Sequence, residues 1–165
     1  MNKFMCRRYL LFCVSLFVNA LGIAFITKAA LGTSPITSVT YVLSMFTPFT
    51  IGQWTILLNL LFVILELFLM TREDLKSDLR MYLLQIPISF SFGMFIDLCM
   101  HYILFWLNPV EYVYMIVALL IGCVILAVGI ALEVKANAAM MAGEYFVKVI
   151  TRRFRGEFGY IKLGF

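Results

Sequence analysis

Asp97 is the only acid in an apolar stretch at residues 81–107, and His101, the single histidine of the chain, follows it by four residues. Positions four apart share a helix face, so a carboxylate and an imidazole at this spacing have the chemistry of a proton relay or a cation-coupling pair. The structural alternative is a neutral or water-facing Asp97 hydrogen-bonded across a bundle, with His101 an interfacial residue near Trp106.

Two further groups of polar residues lie at the ends of apolar runs. Lys28 precedes Ser34-Pro35, where a serine N-cap with proline at the first helical position predicts a short helix over 35–46. The amides at that helix start carry partial positive charge, and with Lys28 they would form an anion-attracting mouth; a snorkelling anchor is the plainer role for the lysine. Lys135 takes the matching place later in the chain, beside Glu133 and followed by Asn137, with Glu144 opening a second short helix over 144–154. A glutamate there would answer the helix dipole itself. The candidate path for a solute or ion therefore comprises Asp97, His101, Lys28, Ser34, Lys135, Asn137, Glu133 and Glu144. Glu66, like Glu133, is expected to form ion pairs with Arg or Lys of a neighbouring loop. Asn19, Asn59 and Gln85 are expected to hold helices together by interhelical hydrogen bonds.

The elements that must position these residues are membrane helices. Of 165 residues, 64% are hydrophobic and 13% charged, against about half and a quarter in soluble domains, and a water-soluble domain of this size could not hide so much apolar surface. Runs at about 9–26, 53–70, 81–107 and 112–134 approach or exceed the roughly 20 residues needed to cross hydrocarbon. The third is longer than a crossing needs, so a tilt, a kink at Pro87 or an extension beyond the lipid is expected. The fold expected is all-α: a polytopic membrane helix bundle of four spans forming a single integral membrane domain, residues 1–165. The first run is read as an uncleaved span rather than a signal peptide, because no A-x-A site follows it.

Orientation follows from the basic residues. Lys3, Arg7 and Arg8 precede span one, and Arg72, Lys76 and Arg80 join spans two and three. Lys135, Lys148, Arg152, Arg153, Arg155 and Lys162 lie at or beyond the end of span four, which leaves only Lys28 on the opposite side. Since Lys and Arg accumulate in the cytoplasm, the N-terminus is expected inside.

GIAFITKA from Gly22 reappears as GIALEVKA from Gly129, with Gly, Ile, Ala, Lys and Ala unchanged. Each copy ends a hydrophobic helix and leads into a short non-spanning one. The two copies belong to spans one and four, which run in opposite directions, so the reading is an inverted repeat. Inverted repeats with short or broken helices recur in secondary transporters. Phe49-Thr50-Ile51-Gly52-Gln53 leads into span two, whereas Phe158-Gly159-Tyr160-Ile161-Lys162 is followed only by Leu163-Gly164-Phe165, so a fifth span is expected beyond that point.

The stretches RRYLLF at 7–12, NALGIAFITKAALGTSPI at 19–36, LLQIPISFSFGMFIDL at 83–98, IGCVILAVGIALEVKAN at 121–137, GEYFVK at 143–148 and EFGYIKLGF at 157–165 carry a resemblance. Over nearly its whole length the chain resembles the YczE/YyaS/YitT family of bacterial integral membrane proteins. The resemblance implies a bacterial cell-membrane protein whose relatives continue into another span after residue 165, and it implies no particular activity. Where similar sequences read Leu-Pro-Gly-Glu-Gly, this one has Met141-Ala142-Gly143-Glu144-Tyr145, which loses the proline and glycine of a specialised turn.

HExxH, P-loop, GxSxG and kinase signatures do not occur, so no enzyme activity, catalytic residue, cofactor or metal is expected. Cys13, Cys99 and Cys123 sit in apolar runs and are read as small hydrophobes. The net charge of +4 comes from residues flanking spans and does not indicate nucleic acid. The expected partners are the bilayer itself and anionic lipid at the amphipathic, basic segment after Glu144; a homo-oligomer is compatible with the sequence. The function expected is a small-solute or ion transporter, and the competing reading is a membrane scaffold or assembly partner that moves nothing.

Overall fold

The computed structural model describes residues 3–70, 72–107, 109–136 and 141–154. Among them are helices α1 Lys3–Lys28, α2 Pro35–Phe46, α3 Ile51–Leu69, α4 Arg72–Leu98, α5 Tyr112–Ala136 and α6 Ala142–Phe154, with a π-helical turn at Cys99–Ile103 after α4. No strand occurs among the described residues. Four segments are long and apolar enough to cross a membrane: Arg7–Lys28, Ile51–Leu69, Tyr82–Ile103 and Tyr112–Ala136. The all-α bundle expected from the sequence is what forms.

The third span differs from its expected bounds. Its helix begins at Arg72, within the basic loop, and regular α-helix ends at Leu98 rather than continuing to Leu107. Pro87 lies inside α4 without ending it. The excess length is absorbed by the π turn, where the Leu104 amide donates to the Cys99 carbonyl five residues back at 2.8 Å.

Packing groups the chain into two compact units, one of Met1–Thr55 with Ser91–Ala138 and one of Ile56–Phe90 with Ala139–Phe165. The first unit is built around α1. Phe12, Leu16, Ala20 and Ala24, spaced four apart, form its buried stripe. Helix α5 packs along it, and Gly22, Gly122 and Gly129 mark the closest approach. A Cβ on Gly22 would meet the Leu126 backbone at 2.8 Å, one on Gly122 would meet Ile26, and one on Gly129 would meet Asn19. As α1 runs from 19 to 26, its neighbours on α5 run from 129 back to 122, so the two helices are antiparallel. Small residues matter here because apolar side chains gain little by leaving lipid for a neighbour, and close backbone packing has to supply the attraction. Arg8 donates from Nε to the Ala136 carbonyl at 3.0 Å, which satisfies one of the open carbonyls at the end of α5.

In the second unit the Tyr82 hydroxyl donates to the Val63 carbonyl at 3.2 Å, and Phe62 stacks on Phe146 with ring centroids 5.3 Å apart. Tyr145, Val147 and Val149 of α6 are buried, and none of residues 145–151 is exposed. The side chains of Arg152, Arg153 and Arg155, on which the anionic-lipid expectation rests, lie outside the described residues.

Candidate functional site

Asp97 stands in the last turn of α4, half-buried, and faces the start of α3. The Thr50 hydroxyl donates to its Oδ2 at 2.6 Å and the Gly52 amide donates to its Oδ1 at 2.9 Å. Thr50 is the residue before α3, and it forms a reciprocal cap with Gln53: the Gln53 amide donates to Thr50 Oγ1 and the Thr50 amide to Gln53 Oε1, each at 3.1 Å. The carboxylate thus rests on a helix N-terminus, where amide dipoles favour negative charge. Gly52 is required by closeness, since a Cβ there would run into the Gly93 carbonyl and the Asp97 carboxyl.

The same carboxylate opens onto a cleft of about 290 Å³ lined by Ser44, Thr47, Thr50, Met100 and His101 among others. Asp97 and His101 both line this cleft. His101 belongs to the π turn and is exposed. A π turn is itself a feature concentrated at functional positions. The hydroxyls are ordered rather than loose: Ser44 donates to the Tyr41 carbonyl and Thr47 to the Leu43 carbonyl, each at 2.7 Å, and Trp54 Nε1 donates to Thr47 Oγ1 at 2.7 Å. The cleft offers a carboxylate, an imidazole and hydroxyl acceptors to whatever enters it.

The first repeat mouth has the predicted cap. Ser34 Oγ accepts from the Thr37 amide at 3.3 Å and lies 2.8 Å from the Thr37 hydroxyl, with Pro35 opening α2. Ser34 is exposed, and Lys28 is a half-buried residue in the last turn of α1. In the second copy Lys135 occupies the last turn of α5 and is exposed. Both lysines therefore sit where a helix C-terminus favours a cation. Asn137 falls outside the described residues, and Glu144 lies in the first turn of α6, its side chain likewise outside them.

Glu133 is buried in the last turn of α5. Its Oε2 accepts from Asn19 Nδ2 at 2.9 Å, linking α5 to α1, which is the interhelical role expected for Asn19. Glu66 departs further from expectation. It is 0% exposed, and neither carboxyl oxygen has a hydrogen-bond partner. Its polar neighbour among the described residues is Gln85. Gln85 faces Glu66 from α4, the interhelical place expected of it, but its amide atoms make no hydrogen bond of good geometry. The pair was invisible in sequence because nothing local fixes which residues of α3 and α4 face each other. The Thr50-x-x-Gln53 cap, by contrast, is a sequence signal that reading Gln53 as the start of span two passes over.

Comparison with curated proteins and with solved structures yields no match to this chain. Residues 6–165 match the model of a family of unknown function, DUF6198, and the chain belongs to that family.

Proposed function

We propose that the protein is a multi-pass transporter of a small solute or ion, built on an inverted repeat and set in a bacterial inner membrane with its N-terminus in the cytoplasm. The observation that carries this reading is the meeting of the two copies of the repeated phrase. Gly22 opens one copy and packs on α5, Gly129 opens the other and packs on α1, and the helices run antiparallel. Transporters with inverted repeats place their sites by broken or short helices between such halves. The short α2 and the π turn supply these irregular elements, and both border the cleft that holds Asp97 and His101. The resemblance to the YczE/YyaS/YitT proteins belongs to the same reading.

The scaffold reading draws on a different observation, the engagement of both Asp97 oxygens in capping α3. The two readings differ in water access. In a chain whose own cysteines at 6, 13, 99 and 123 are replaced, single cysteines at Ser34, Asp97 and Asn137 should react with membrane-impermeant thiol reagents, with Asp97 reached from both faces. Inert positions, or access to Asp97 from one face alone, would favour the scaffold.

A further inference from the structure

Unit Ile56–Phe90 with Ala139–Phe165 encloses a carboxyl that capping and ion pairing do not account for. Glu66 of α3 and Gln85 of α4 are 0% and 1% exposed, and four polar atoms, Glu66 Oε1 and Oε2 with Gln85 Oε1 and Nε2, have no hydrogen-bond partner. The hydroxyls one helical turn away are already committed. Among the described residues Tyr82 is a titratable side chain that faces Glu66, and it donates to the Val63 carbonyl. Ser89 donates to the Gln85 backbone carbonyl at 2.8 Å. Both residues belong to helices of membrane-spanning length.

An ionised carboxylate in such a place needs a compensating charge, and the amide beside it brings none. A calcium or magnesium ion would need about six oxygens, and this pair presents three. A proton needs one acceptor. It forms an O–H bond on the Glu66 carboxyl and leaves that group able to donate to Gln85 Oε1, satisfying two of the four orphaned atoms at once. We propose that Glu66 with Gln85 is an exchangeable proton-binding site inside the membrane: the carboxylate takes a proton from water, forming the neutral acid hydrogen-bonded to the amide oxygen, and returns it by the reverse step. The proposal stands without the transport reading; together with that reading it names the proton as the ion coupled or moved.

Infrared spectroscopy of the full-length protein in lipid vesicles at neutral pH tests it. A carboxylic-acid C=O band should appear, move to lower frequency when H2O is exchanged for D2O, vanish in Glu66→Gln and persist in the control Glu111→Gln. Gln85→Leu, which leaves the carboxyl in place, should move the band to higher frequency by removing its acceptor, and it decides the matter if Glu66→Gln does not fold. A spectrum unchanged by Glu66→Gln, or a Gln85→Leu band at the wild-type position, would overturn the site. A band that never shifts in D2O would make the proton a fixed structural one and overturn exchange. Failure of the transport reading would show instead in thiol access at Ser34, Asp97 and Asn137, leaving the infrared result untouched.

Discussion

Asp97 is held by neutral donors, and that decides what its removal does. Two bonds, from a hydroxyl and from a backbone amide at a helix start, are lost together in Asp97→Ala. Hydrogen bonds to a charged group contribute about 1.5–3 kcal/mol each, so a loss of about 3–6 kcal/mol is expected in thermal unfolding of the detergent-solubilised protein. Trp54, bonded to Thr47 and packed edge-on to Phe49 at 5.8 Å, sits in the same turn and should report the frayed helix start by its fluorescence. Asp97→Asn keeps one acceptor oxygen and should lose less than half as much. At Asn19 the exchange to Ala removes the bond to Glu133, and intramembrane bonds of this kind contribute about 0.6–2 kcal/mol. A loss well outside that range would mean that Asn19 does more than join α1 to α5. Asp97 stood out in sequence because an acid in an apolar run is rare. Its partners did not, because Thr50 before α3 and Gly52 in its first turn are ordinary residue types until the turn after α2 brings them to the end of α4.

At the scale of helices, the glycines of the repeated phrase carry the most specific prediction. A methyl group on Gly22 would stand 2.8 Å from the Leu126 amide nitrogen and 2.9 Å from its Cα, and backbone atoms cannot turn aside as a side chain can. The helices would have to part. Overpacking of this kind costs about 1–3 kcal/mol, and the roughly 1 kcal/mol that alanine gains over glycine in helix propensity offsets only part of it. Gly22→Ala should therefore lower the unfolding temperature, and Gly129→Ala, which presses on Asn19, should lower it as well; an unchanged temperature in both would mean that α1 and α5 are not in backbone contact. The crossings themselves were readable because length and apolarity are local properties. The start of α2 was readable from its serine cap and proline, and the start of α6, read at Glu144 as the repeat counterpart, lies two residues earlier at Ala142. The close of the third span was not, since the π turn depends on i to i+5 bonding, as from the Leu104 amide to the Cys99 carbonyl, that no residue type announces. The facing of Glu66 and Gln85 was hidden for a related reason: it depends on how α3 and α4 align, which no spacing along the chain records.

For the molecule in its bilayer, charge and packing must agree on direction. Phe68, Tyr102, Val124 and Val134 are all more than half exposed, so the long helices offer apolar surface outward as lipid-embedded helices do. Lys28 ends α1 and Lys135 ends α5, and because these helices run antiparallel the two lysines lie at opposite ends of the pair. The orientation proposed from the charge rule has the Lys135 end in the cytoplasm, because Lys28 stands apart from the other basic residues in the sequence pattern. A cysteine or compartment-sensitive reporter at position 28 should then be reached from outside intact cells, and one at 135 only after the membrane is opened. The two experiments probe different things: the packing of α1 on α5 fixes only that the lysines are apart, while the charge rule fixes which one is inside. Labelling both from the same side would break the first inference and with it the inverted repeat. Labelling them from opposite sides but reversed would leave the repeat intact and overturn only the cytoplasmic N-terminus.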